Sequence, residues 1–140
     1  MVTVVVDGAN VMGSRPDGWW RDRAGAAVRL RDRLVRACAS GLTVPGFAAE
    51  APEVVLVVEG AAKAGFAASP ADSPASPAGG DPVRVMLARG SGDDAIVDLV
   101  RELSGPRVVV TADRELRGRC VAAGASVLGP GWLLGVLDER

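Results

Sequence analysis

Five short valine-rich runs, most of them separated by helix-length segments, constrain this chain more than any other feature. They are Val2–Val6, Val54–Val58, Val83–Ala88, Arg107–Thr111 and Ser126–Leu128, rich in β-branched residues and bounded by Gly, Pro or charge. Several are apolar at consecutive rather than alternate positions, so both faces of such a strand need covering. That is the habit of a parallel sheet packed between helices.

The intervening segments supply those helices. From Asp94 onward, Ala95, Ile96, Leu99, Val100 and Leu103 recur at helical spacing and leave Asp98, Arg101 and Glu102 outside. Another helix is predicted from about Asp22 to Ala39, stopped by Gly41, and a third from about Arg114 to Ala123, stopped by Gly124. A last one follows Pro130 and contains Trp132, Leu133, Leu134 and Val136. The expected fold class is α/β, a three-layer sandwich with a mostly parallel five-stranded sheet. Residues 60–82 are rich in Ala, Ser, Pro and Gly with little to bury, and are expected to form in part a flexible loop inside a single domain spanning 1–140.

Composition narrows the chemistry. The 140 residues contain no histidine, which excludes Ser-His-Asp and Cys-His catalysis and ordinary zinc sites. Cys38 and Cys120 fit neither a zinc pair nor a disulfide framework and are expected to be buried thiols. Chemistry is left to carboxylates, amides, hydroxyls and arginine. No apolar run approaches the length of a membrane span and Met1 leads straight into a strand, so the expectation is a cytoplasmic protein with no membrane partner.

In a parallel sheet the right-handed crossovers bring the C-terminal ends of all strands to one edge, the edge at which open α/β sheets bind ligands. Here Asp7 follows the first strand, Glu59 the second, Asp93 and Asp94 the third, and Asp113 the fourth. Two carboxylates ~4 Å apart repel by about 4 kcal/mol at an effective dielectric of ~20, a cost that a divalent cation removes. An oxygen-only ligand set favours Mg²⁺ or Mn²⁺. Each acid also has a local use: Asp93 or Asp94 as the cap of the helix that starts there, Asp113 as the cap before Arg114, and Asp7 in a turn with Asn10.

The stretches VVVDGANVMG, GSGDDAIVDLV and VVVTADRELRGRC resemble, in order and spacing, the NYN branch of the PIN-like nucleases, in particular the small bacterial YacP-like proteins. The resemblance implies a PIN-like sheet and cleavage of RNA, with Mg²⁺ or Mn²⁺ held by Asp7, Asp93, Asp94 and Asp113. Asp7, Asp94 and Asp113 are then the catalytic acids, and Asn10 orders a turn or a water. PIN proteins generally carry a further acid on a helix between the first two motifs; Asp32, Glu50 and Glu59 are the candidates and none matches cleanly. Some relatives bind RNA without cutting it, so the alternative function is a non-catalytic RNA- or ribosome-binding module.

Substrate contacts are expected from residues around that edge. Arg114 adjoins Asp113 and offers a planar donor fork to a phosphate; Glu59 and Asp98 are further polar residues assigned to the surroundings of the site. Residues 15–36 hold seven arginines against three aspartates. Arg29, Arg33 and Arg36 form one stripe of the first long helix, with Asp32 placed to pair with Arg36 and with Val28, Leu34, Val35 and Cys38 facing inward. Trp19 and Trp20, set among arginines, are able to stack unpaired bases, which suits single-stranded or looped RNA better than a duplex. Other phosphate chemistries fail on spacing: the chain has no GxxxxGK[ST] or GxGxxG loop, no second acid two residues after Asp7, and no lysine after a late strand.

Overall fold

A computed structural model describes residues 2–15, 18–47, 51–66 and 82–139. The strands are β1 (Thr3–Asp7), β2 (Glu53–Val58), β3 (Val83–Leu87), β4 (Arg107–Val110) and β5 (Ser126–Leu128). The helices are α1 (Gly8–Gly13), α2 (Arg23–Ala39), α3 (Gly92–Glu102), α4 (Arg114–Ala122) and α5 (Pro130–Asp138). All strand pairs are parallel, in the order β3-β2-β1-β4-β5.

The pleat divides the core in two. Val4, Val6, Val54, Leu56, Val108 and Val110 pack against α1, α2 and α5. Val5, Val55, Val57 and Val109 point to the other face, onto Ile96, Val97 and Val100 of α3 and Leu116 and Cys120 of α4. Strand side chains alternate between faces, so a run such as Thr3–Asp7, buried at all five positions, is what a sheet with two helical layers needs. The α/β three-layer expectation holds, and Gly41 and Gly124, at φ +94° and +99°, end α2 and α4 as predicted.

Four details differ from the sequence reading. Gly8–Gly13 is a short helix rather than only a turn, because the Asp7 carboxylate accepts from Asn10 N and caps it. Ser91, not Asp93 or Asp94, caps α3 by accepting from Asp94 N at 3.1 Å. The buried face of α2 is Ala27, Leu30, Leu34 and Ala37, with Val28, Val35 and Cys38 only partly covered. Residues Gly60–Phe66 form a 3-10 helix, with Ala62 buried and Lys63 Nζ donating to Ala88 O at 2.8 Å, so only 67–81 of the expected loop lies outside the described residues. Of the two thiols, Cys120 is buried and Cys38 half-buried, and neither is in a disulfide.

One glycine is dictated by the turn from β1 into α1. A Cβ on Gly8 would lie 2.7 Å from the backbone oxygen of Val57 on the neighbouring strand, a contact that no rotamer change relieves. Gly8→Ala is expected to destabilise the fold by roughly 1–3 kcal/mol, as overpacking of a rigid core does. Gly118, in α4, has open space around its added Cβ, and Gly118→Ala should stabilise by roughly 0.5–1 kcal/mol. Urea unfolding of the pair checks both signs.

Candidate metal and nucleic-acid site

In this strand order the chain leaves β1 toward β2 and β3 on one side and returns to dock β4 on the other. The direction of winding therefore reverses between β1 and β4, where the connections diverge and leave a crevice at the C-terminal edge. Asp7 ends β1 at that crevice, and Thr111-Ala112-Asp113 follows β4 on its far side.

A hydrogen-bonded web closes the two turns onto each other. Thr111 Oγ1 donates to Asp7 Oδ2 at 3.0 Å and accepts from Asp113 N at 3.1 Å. Asn10 Oδ1 crosses the crevice to accept from Ala112 N at 2.8 Å, while Asn10 N donates to Asp7 Oδ1 at 3.3 Å. Asp113 Oδ1 accepts from Leu116 N at 2.9 Å and so caps α4. Asn10 thus orders the turn after β4, not merely its own. Thr111, wholly buried, was missed as a site residue, although a hydroxyl between an apolar strand and Asp113 was a legible signal.

The carboxylates sense one another unequally. Asp7 is only 6 % exposed, and burial pushes its carboxyl above the ordinary range; the bonds from Thr111 and Asn10 oppose this, and the charges of Asp93 and Glu59 add to it. Asp93 is raised as well, first by burial and then by Asp113 and Glu59, with Arg119 opposing. Asp93 is therefore the carboxylate that couples the group. Glu59 reaches it from the end of β2, its Oε1 accepting from Gly92 N at the start of α3.

Asp94 departs from its expected place. Its side chain is 69 % exposed and pairs with Arg119 at 3.0 Å, at the solvent edge of the group. The physical reason is helical: Ser91 fixes the start of α3, and successive residues then point about 100° apart, so only one of the Asp93–Asp94 pair can face the crevice. Asp98 is exposed one turn further along, and Arg114 is exposed at the first position of α4, beside Asp113. Asp32 lies on α2, the helix packed on the opposite face of the sheet from α3 and α4, and pairs with Arg31 rather than Arg36. Glu50 lies outside the described residues.

The oxygen donors suit a hard cation, yet among the described residues no three acidic or thiol side chains stand close enough together to enclose an ion. The expected shared ligand set of Asp7, Asp94 and Asp113 is thus not preformed, because Asp7 and Asp113 are held by backbone and hydroxyl donors and Asp94 by Arg119. Asp93 alone of the group makes no hydrogen bond or salt bridge among the described residues. Such a set fits a largely hydrated ion bound through one or two carboxylates, which is the usual manner of Mg²⁺.

Away from the acids, Trp19 is half-buried against the core with the Arg23 guanidinium 5.1 Å from its ring centroid. Trp20 is 50 % exposed, edge-on to Trp19, with Arg21 at 5.9 Å. Arg29 is exposed on α2, and Arg33, one turn later, bonds Asp138 at 2.7 Å. No helix among the described residues is long and apolar enough to cross a membrane.

No protein-family model matches the chain. UPF0178 proteins of Bradyrhizobium sp. (strain ORS 278) and Rhodopseudomonas palustris (strain BisB18) are each 47 % identical to it over 51 residues, which is 36 % of this chain. The match spans about a third of those relatives, 31 % and 33 % of their length. The crystal structure of Rae1 (YacP) from Bacillus subtilis superposes with a TM-score of 0.70 at 17 % identity, covering 99 % of this chain and 75 % of that one. Its W164L mutant gives 0.66 at 19 %, covering 99 % and 76 %. At these identities the likeness shows architecture, and the chain accordingly shares the α/β fold of Rae1 (YacP), a five-stranded parallel sheet between two helical layers.

Proposed function

We infer that this chain is a metal-dependent endoribonuclease of the NYN/YacP type, acting on single-stranded or looped RNA. The observation that carries the reading is the position of Asp7, Glu59, Asp93 and Asp113 at the edge where the sheet reverses direction, with Asp7 and Asp93 each raised in part by acidic neighbours. Carboxylates kept together against burial and repulsion mark a site organised for a cation or a proton rather than for stability.

Asp93 and Asp7 would hold the ion, with Asp113 and Glu59 beside them. When bound, Mg²⁺ or Mn²⁺ supplies a water of lowered pKa and neutralises phosphate charge. The chain's own part is positional. Thr111 and Asn10 tie the two turns so that the carboxylates keep their spacing. Arg114, exposed at the start of α4, contacts a phosphate of the substrate, and Trp20 presents a ring for an unpaired base.

A second reading, an RNA- or ribosome-binding module without catalysis, is favoured by the lack of a preformed three-carboxylate ligand set among the described residues. End-labelled single-stranded RNA separates the two. Incubation with millimolar Mn²⁺ is expected to give shortened products carrying 5′-phosphates, suppressed by EDTA. Retarded but intact RNA in both conditions supports the binding module instead.

A further inference from the structure

A second concave site lies on the opposite face of the sheet from α3 and α4, between α1, α2 and α5. It is a cavity of about 170 Å³ whose apolar wall includes Val11, Met12, Leu30 and Leu134, with Trp19 at one side. Arg15, Arg29 and Arg33 line the same cavity. An apolar cavity of ~150 Å³ takes up a benzene-sized ring, so this one admits a single planar base and leaves anything attached to it at the rim.

The rim is already arranged for an anion. Arg15 donates through both terminal nitrogens to the Asp138 carboxylate and Arg33 donates to the same group at 2.7 Å, so two guanidinium forks converge on one acidic head. Arg29, one turn before Arg33, forms no salt bridge among the described residues. Asp138 is 46 % exposed, and ion pairs so open to solvent are weak, so a more highly charged group can displace it. Among the described residues the rim carries Arg15, Arg29 and Arg33 beside Asp138, while the wall is apolar and aromatic. A free anion would not need the wall, and an apolar ligand would not need the rim.

We propose that this cavity binds one nucleotide of an RNA strand, its base inside against Trp19 and its phosphate on Arg15, Arg29 and Arg33, with Asp138 as a built-in competitor for that phosphate. The proposal rests on the RNA reading above and adds a subsite to it. Helix α1 links the two places: Asp7 caps its start, Val11 and Met12 line the cavity, and its six residues span about 9 Å, a distance that one strand can bridge.

The test measures binding of a labelled single-stranded RNA to the wild type, Arg29→Ala and Asp138→Asn in EDTA across a salt series. Arg29→Ala should weaken binding roughly tenfold and lower the salt slope by about 0.7, one phosphate contact on a single strand. Asp138→Asn should tighten it roughly two- to fivefold, a gain that misfolding cannot mimic. Uridine 5′-monophosphate should compete at least tenfold better than ribose 5-phosphate, which lacks the base. Equal RNA affinity in all three proteins overturns the cavity proposal and leaves the RNA reading standing. No RNA binding by the wild type removes both. Displacement of the RNA by polyglutamate as readily as by unlabelled RNA shows a plain anion surface and overturns the nucleotide assignment.

Discussion

Asp7→Asn is expected to lose RNA cleavage by roughly 100-fold or more, beyond the 10–100-fold typical of residues that only support a metal ligand, while melting at a higher temperature than the wild type in EDTA. The two effects have one cause. Burial and the neighbouring acids disfavour the Asp7 charge more than Thr111 and Asn10 favour it, since the net displacement of its carboxyl is upward. Asparagine keeps the acceptor for Asn10 N and gives up only the Thr111 bond, a loss of ~1 kcal/mol.

The sign with pH follows from linkage. A carboxyl raised on folding imposes no penalty below its unfolded range near 3.9 and the full penalty above its folded value. The gain of Asp7→Asn over wild type should therefore be present at pH 7 and vanish as pH falls toward 4. Each kcal/mol corresponds to ~2–8 °C in midpoint for domains around this size. Millimolar Mn²⁺ should raise the wild-type midpoint, because a ligand of the native state stabilises it, and leave the variant unmoved. A variant less stable than wild type at pH 7 would mean that Asp7 serves chiefly as the cap of α1.

How much of this was legible in the sequence depends on the range of the interaction. β1 and β2 declared themselves because Val4–Val6 and Val54–Val58 are buried on both faces, a pattern no exposed segment tolerates. The common edge of the acids followed from parallel strands alone. Helix α1 was hidden because Gly8-Ala9-Asn10 reads as a turn; it exists through the Asp7 cap and packing on α2 and α5, neither visible locally. The buried face of α2 was misread because Ala27 and Ala37 carry too little apolar surface to mark a stripe, while the more obvious Val28 and Val35 sit at its margins. The web through Thr111 joins residues 104 positions apart, and no spacing rule reaches that far.

The same limit governs the paired acids, where the structure makes its sharpest distinction. DD at 93–94 gives no reason to prefer either residue, because a helix N-terminus welcomes a carboxylate at both positions. Once Ser91 fixes the start of α3, Asp93 feels the charges of Glu59 and Asp113 and adds to the burden on Asp7, and Asp94 pairs with Arg119 of α4. Asp93→Asn is therefore expected to abolish the Mn²⁺-dependent rise in melting temperature and reduce cleavage roughly 100-fold or more, in line with loss of a directly bound ligand. Asp94→Asn should keep both within about twofold, since it removes only a solvent-exposed ion pair, and such pairs are weak. Arg119→Gln provides the complementary measurement. It frees Asp94 and removes the cation that holds the Asp93 carboxyl down, so it should weaken the metal response only modestly and leave the response dependent on Asp93. Assays of the three variants against wild type, with RNA cleavage and melting read side by side, test that ordering. If Asp94→Asn proved as damaging as Asp93→Asn, Asp94 would have to leave Arg119 and swing into the crevice when the cation binds.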